Sequence, residues 1–315
     1  MWRHCDGGRS PTTSAPLLKR PAFCPTHRVG PRSLDEAPSA SPPPQHATAM
    51  TARSLPKKIE INADMGEAFG RWKLGPDEEI MKHIDVANVA CGFHASDPVT
   101  LHKTVRLAKK HNVAVGAHPG FPDLAGFGRR RMELTEEEVA DIITYQIGAV
   151  KAFCDLEGVP LNHVKPHGAL YFYLKNSRPH CVAAFRAIKA WGVPVYGLGG
   201  TVHEEVAKEV GIPFVPELFV DIEYSPEGAL IPPAQSKEIS PEESAERARK
   251  VALTGTNYAQ GGGEVHMPEF GHGDNGGRCR PFSICLHSDL PGAEQSVAAT
   301  RRAVDELNAK LFGDV

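Results

Sequence analysis

Proton-handling side chains recur where short apolar segments of this chain end. Asp64 and Glu67 follow I-E-I-N-A, Cys91 and His94 follow V-A-N-V-A with Asn88 inside it, and His118 closes V-A-V-G-A-H. Lys165 and His167 flank Pro166 after L-N-H-V. Glu217 and Asp221 lie in P-F-V-P-E-L-F-V-D, while His287 and Asp289 end F-S-I-C-L-H-S-D. A carboxylate beside an imidazole supplies a general base with an orienting partner, and a lysine stabilises negative charge as it develops. The pattern points to acid–base chemistry. Asp64, His94, His118, Lys165 and His167 carry it best, because glycine or proline flanks most of them where a segment turns.

The stretch Val113–Arg131 is the richest single segment. An apolar, β-branched run ends in His118 and enters a loop with Gly120, Pro122, Asp123, Gly126, Gly128 and the arginines 129–131. A strand that ends this way suits the rim of an α/β fold, where ligands sit. Simpler roles account for several neighbours. Asp97 before Pro98 reads as a helix N-cap and Cys91 as a small packing residue. His163 is expected to cap its strand, and His102, His111 and His203 to sit on helix surfaces. Asp221 and Glu223 also read as solvated loop charges.

The elements that must position these groups alternate without interruption from Ile59. Strands are expected at I-E-I-N-A-D-M-G, V-A-N-V-A-C-G-F, V-A-V-G-A-H, L-N-H-V-K-P-H, V-P-V-Y-G-L-G, P-F-V-P-E-L-F-V-D and F-S-I-C-L-H-S-D. Helices are expected near Asp77–Ile84, after Asp97-Pro98, and after the capping box Thr135–Glu138. Further helices should end near Trp191, follow Thr201 and Ser240, and run from about Gly292 to Leu311. Strand–helix units in series predict parallel strands with helical crossovers. A (β/α)7 TIM-like barrel fits better than an open doubly wound sheet, since no nucleotide fingerprint marks a switch point. Barrel closure would bring every carboxyl-terminal strand end to one face.

Composition bounds the rest. The 315 residues are 41% hydrophobic and 23% charged with a net charge of −3, which is globular and offers no footprint for nucleic acid. The 7 cysteines form no C-x-x-C pair, which argues for a reducing compartment and a cytoplasmic location. No apolar run reaches membrane-spanning length. Residues 1–57, rich in Pro, Ser, Thr and Arg, lack hydrophobic periodicity and are expected to be a disordered extension to a barrel over 58–315. The extension shares the basic, acid-poor character of an organellar transit peptide, and Met50 is an alternative start. A P-loop motif is absent. Gly271–Gly276 matches G-x-G-x-x-G by letter but sits in a Gly-rich excursion, about 260–280, expected to be flexible, without a preceding strand and with few apolar anchors.

Six segments together carry a resemblance. N-A-D-M-G-E at 62–67, A-N-V-A-C-G-F-H-A-S-D at 87–97 and G-A-H-P-G-F-P-D-L-A-G-F-G-R-R at 116–130 resemble the LamB/YcsF family, as do Y-Q-I-G-A at 145–149, H-V-K-P-H-G-A-L-Y at 163–171 and I-C-L-H-S-D at 284–289. The resemblance runs in order over about Ile59 to Leu311. It implies a barrel of the glycoside hydrolase/deacetylase type and opening of 5-oxo-L-proline to L-glutamate at the expense of ATP, as the A-type component beside separate B- and C-type subunits. The chain departs from the family pattern at Pro233, where an arginine is usual, at Ser288, where a glycine is usual, and in the 260–280 excursion.

A five-membered lactam is a resonance-stabilised amide, and phosphorylation of its carbonyl oxygen would make the ring carbon electrophilic. Asp64, oriented by His94 or His118 and backed by Glu67, is then expected to activate water, with Lys165 and His167 holding the oxyanion or phosphate. Arg129 or Arg130 would clamp the substrate carboxylate, and Asn62, Asn88, Glu217, His287 and Asp289 complete the substrate-binding set. Two alternatives stand beside this. One is a metal-dependent amidase or deacetylase with Asp64, His94 and His118 on a divalent ion, and the other is a non-catalytic lactam-binding subunit.

Overall fold

The structure is a computed structural model that describes residues 55–270 and 279–313. Seven strands close into a parallel barrel: β1 (Glu60–Met65), β2 (Val86–Ala90), β3 (Ala114–His118), β4 (Leu161–Val164), β5 (Val195–Gly197), β6 (Phe214–Phe219) and β9 (Ser283–Leu286). Between β6 and β9 lie two further strands, β7 (Thr256–Tyr258) and β8 (Glu264–His266), which pair antiparallel as a separate hairpin. The helices are α1 (Asp77–Ile80), α2 (Pro98–Lys110), α3 (Glu136–Glu157), α4 (Gly168–Asn176), α5 (Arg178–Lys189), α6 (Val202–Val210), α7 (Pro241–Thr254) and α8 (Ala293–Leu311). The barrel expected from the alternating pattern is the one found. Closure comes from β9, which pairs with β1 on one side and β6 on the other.

Local chemistry explains where the elements begin. The Asp97 carboxylate accepts from the amides of Val99 and Thr100, with Pro98 in the first turn, so the N-cap reading holds. Thr135 and Glu138 form the reciprocal capping box that opens α3. Two expectations are corrected. The helix near Asp77–Ile84 is a single turn, Asp77–Ile80. The segment after β4 makes two helices, α4 and α5, broken at Ser177, where Pro179 in the first turn of α5 cannot extend the preceding helix.

Side chains alternate along a strand, so each strand presents one set inward and one outward. On β1, Ile61, Ala63 and Met65 pack into the main hydrophobic core, whereas Asn62 and Asp64 join the polar network inside the barrel. Strand pairing sets Asp64 beside Asn88 and Asn88 beside Gly116. Gly116 is needed there because a Cβ would run into the His163 ring. Towards the amino-terminal end, Val86, Tyr196 and Val215 form a small apolar cluster with Ala114. The polar network around Lys165 and Asp64 lies toward the other, carboxyl-terminal end.

The 260–280 excursion differs from expectation. It follows strand β7, and β8 buries Val265 and continues into buried Met267 and Phe270, with Cys279 buried on return. Those residues anchor the hairpin to the core. The G-x-G-x-x-G letters at 271–276 and nearly all of the amino-terminal extension lie outside the described residues. Among the described residues no helix is long and apolar enough to cross a membrane.

Candidate active site

Lys165 is the centre of the polar end. Its ammonium donates to Asp64 Oδ1 at 3.0 Å, Asn62 Oδ1 at 3.2 Å and Cys285 Sγ at 2.9 Å, and stands 2.9 Å from Glu217 Oε1. Asn88 donates to both Asn62 and Asp64 and holds His163 through its own carbonyl oxygen. Tyr171 donates to Glu217. Burial opposes charge at Lys165, but Asp64, Cys285 and Glu217 outweigh it and raise its pKa well above the ordinary lysine value. Burial likewise pushes Asp64 up, but His118 and Lys165 pull its carboxyl well below the usual carboxylate range. Asp64 is thus a carboxylate at neutral pH and Lys165 an ammonium.

His287 forms a second dyad. Asp221 accepts from the His287 amide at 2.6 Å and from its Nδ1 at 3.2 Å. Burial would lower the imidazole pKa, yet Asp221 turns the shift upward. Asp221 is 8% exposed, and Glu223 is buried with bonds from the Lys237 amide and Gln260. The solvated-charge reading of both is therefore corrected. His203 is corrected as well: it is buried, bonded to the Leu198 amide and facing the Tyr171 carbonyl.

His118, His94, His167 and Glu67 converge beside Asp64. His118 Nε2 stands 3.2 Å from Asp64 Oδ2 and 2.9 Å from His167 Nδ1. The rings of His94 and His167 stack at 3.7 Å and 4°. Glu67 Oε1 lies 3.4 Å from His94 Nε2 and 3.5 Å from His167 Nδ1. Burial, then Asp64 and Asp289, raise Glu67 well above the usual carboxylate range. Burial and neighbouring imidazoles hold His94 and His167 well below the ordinary histidine value. Gly128 closes over this cluster with φ +64°, and a Cβ there would sit 2.7 Å from His94 Cβ and 2.9 Å from His167 Cδ2. Among the described residues, Glu67, His94, His118 and His167 each bring one ligand-type atom within 4.8 Å of the others, but the parallel stack of His94 on His167 keeps a single ion from lying in both ring planes. Asp64, Cys285 and His287 are also close, but the Lys165 ammonium already donates to both Asp64 and Cys285.

A cavity of about 410 Å³ opens above these groups, within the range of small-molecule sites. Asp64, His118, Lys165, His167 and His287 reach it, with Arg129 and Arg131 at the rim. Arg129 pairs with Asp289 at 2.7 Å and lies over Phe127. The structure separates the expected substrate-binding set. Arg129 and His287 line the cavity, whereas Asn62, Asn88 and Glu217 are fully buried beneath it. Arg130 turns to Asp123 and does not line it. Tyr171 and Phe219 form part of the wall, and neither was singled out from the sequence. Tyr171 stands four residues after His167 and one helical turn along, a spacing that signals a shared face.

The fold and the site define a parallel (β/α)7 barrel with a polar, cationic-centred mouth at the carboxyl ends of its strands. The LamB/YcsF family model matches residues 59–313, and the chain belongs to that family. The lactam utilization protein lamB of Emericella nidulans is 43% identical over 256 residues, covering 81% of this chain and 98% of that protein. The A-type subunit of 5-oxoprolinase from Thermus thermophilus is 43% identical over 258 residues, covering 81% and 98%. Among solved structures, the lactam utilization protein from Thermus thermophilus superposes with a TM-score of 0.70 at 44% identity, covering 79% of this chain and 96% of that one.

Proposed function

We propose that this chain is the ring-opening, A-type subunit of a 5-oxoprolinase, hydrolysing 5-oxo-L-proline to L-glutamate after ATP-dependent activation that involves separate B- and C-type subunits. The observation that carries this reading is the pairing of a permanent base with a protonatable imidazole at the cavity floor. An oxygen of Asp64 and a ring nitrogen of His287 lie within 4.8 Å, a span that one water can bridge. The names of the relatives, which speak of lactam utilization and of 5-oxoprolinase, support the substrate class.

In this reading Asp64 takes the proton of the bridging water as its oxygen bonds to the activated carbonyl carbon. Lys165 holds negative charge on the oxygens of the tetrahedral intermediate, close to Asp64. His287, kept protonated by Asp221, gives its proton to the ring nitrogen as the carbon–nitrogen bond breaks. Expulsion of the amine leaves an acyl phosphate when the carbonyl oxygen was phosphorylated, and a second water releases glutamate and phosphate. Arg129 at the rim would clamp the substrate carboxylate. The test is glutamate release from 5-oxoproline with ATP by the full chain reconstituted with B- and C-type subunits. Asp64→Asn should lower turnover by about 10²–10⁴-fold while the variant stays folded. Undiminished turnover in that variant would favour a protein that binds the lactam and leaves the chemistry to its partners.

A further inference from the structure

The cavity above Lys165 is wider and more apolar than 5-oxoproline requires. Besides Asp64, Lys165 and His287 it is lined by Phe172 of α4, by Phe219 and Ile222 at the end of β6, and by Leu230, Ile231 and Pro233 in the segment that follows. Glu223 and Glu227, in the same segment, do not line it. 5-Oxoproline brings two ring methylenes, and its amide and carboxylate are polar. The cavity, about 410 Å³, is instead of the size that encloses a drug-sized molecule. Glu223 fastens the segment that carries much of the apolar wall. Its amide donates to Ser236 Oγ at 2.9 Å, and its carbonyl oxygen accepts from the Ile231 amide at 2.9 Å. One carboxylate oxygen accepts from the Lys237 amide at 3.0 Å and from Gln260 Nε2 at 2.9 Å. The Tyr224 hydroxyl accepts from the Phe219 amide and the Tyr224 carbonyl from the Gln260 amide. Pro232 and Pro233 fix φ at two successive positions. A wall held this way loses little ordering entropy when a ligand meets it.

We infer that this wall is a subsite for an apolar substituent, so that the chain prefers lactams carrying an alkyl group on a ring methylene over plain 5-oxoproline. The inference rests on the ring-opening reading only for the lactam itself. The amide carbon and nitrogen must meet Asp64, Lys165 and His287, and a third ring carbon already bears the carboxylate. The two methylenes are left as points of attachment. Continuity with the floor favours this occupant. Phe219 stacks on His287 with ring centroids 5.7 Å apart at 26°, and Ile222 follows Asp221, which holds His287. The wall thus begins beside the groups that would hold the lactam ring. Each methylene withdrawn from water contributes about fourfold in affinity, so a butyl group lying along the wall should gain roughly 10–100-fold.

The test is calorimetric titration of the full chain with 5-oxoproline and with its two derivatives that carry a butyl group on one or the other ring methylene. At least one derivative should bind about 10-fold or more tightly than 5-oxoproline. Ile231→Thr keeps the branch at Cβ and trades apolar surface for a hydroxyl, and it should cut that advantage by about threefold or more. Glu223 acts as a positioning residue. Glu223→Ala should lose the advantage, and Glu223→Gln, whose carbonyl oxygen can still accept from Lys237 and Gln260, should retain it. Thermal melts confirm that each variant is folded. Equal or weaker binding of both derivatives, or no binding of either, would overturn the inference whatever the reconstituted complex does with 5-oxoproline. An advantage that survives both Ile231→Thr and Glu223→Ala would place the alkyl group elsewhere and overturn it too. Ring opening is judged separately by glutamate release from 5-oxoproline with ATP and the partner subunits. A butyl advantage without turnover sinks that reading alone, and turnover without the advantage sinks the subsite alone.

Discussion

Replacing Lys165 by methionine tests the electrostatic centre of the barrel without reference to any substrate. The side chains of Lys165, Asp64 and Glu217 are 3%, 7% and 0% exposed, and the ammonium lies 3.0 and 2.9 Å from the two carboxylates. Methionine preserves length and apolar stem but strands two buried carboxylates together. Removing one partner of a buried ion pair costs about 3–5 kcal/mol, because the remaining charge is uncompensated. At roughly 2–4 °C per kcal/mol for a domain of this size, the melting temperature should fall by about 6–20 °C. The sign with pH is also determined. In the wild type Asp64 is held below its unfolded value, so its ion pair stabilises above about pH 3.9 and that stability is lost as pH falls through the lower folded value. In Lys165→Met the carboxylate pair must take up a proton to fold, so stability is lost as pH rises above the unfolded range. Urea unfolding at pH 5 and pH 8 should show a deficit larger at pH 8 by about 1.4 kcal/mol or more, one pK unit. A variant within 1 kcal/mol of wild type at both values, on the order of a surface pair, would refute the reasoning.

Five further outcomes are expected. In Asp221→Asn the upward shift at His287 is lost, so the basic limb of the pH–rate profile should move to lower pH; an unmoved limb would remove His287 as the acid. In the wild type that same raised pKa contributes stability below about pH 6.5 that is lost as pH rises through the folded value, and Asp221→Asn should flatten this in thermal melts from pH 5.5 to 8. Gly128→Ala should destabilise by about 1–3 kcal/mol through overpacking against His94 and His167, with further strain from its positive φ, measured by denaturant unfolding. The isolated chain, lacking a P-loop, should not hydrolyse ATP in a phosphate-release assay, and a chain beginning at Met50 should match the full chain in melting temperature.

The seven barrel strands and their order were legible because each is a short apolar run bounded by Gly, Pro or a polar turn, a purely local signal, whereas the short polar strands β7 and β8 carried no such signal. Caps such as Asp97 and Thr135 were equally plain, since the groups they satisfy lie within three residues. The residues of the site were legible one by one for the same reason, as polar side chains at strand ends. Their partners were not. Asp221 reaches His287 across 66 positions only because β6 and β9 pair to close the barrel. His203 looked like a surface residue on an amphipathic helix, and only the docking of α6 against α4 brings its ring to the Tyr171 carbonyl. Asn62 and Asp64 share a face two residues apart, yet one is sealed in the interior and the other reaches the cavity, a difference of depth along the strand. The chain by itself thus determined which polar side chains stand where the strands end, and that barrel closure would gather them at one face. Only the tertiary structure decided that Glu67 joins the three imidazoles while Asp64 turns to Lys165, because barrel closure and the loops after each strand set distances that sequence spacing does not encode.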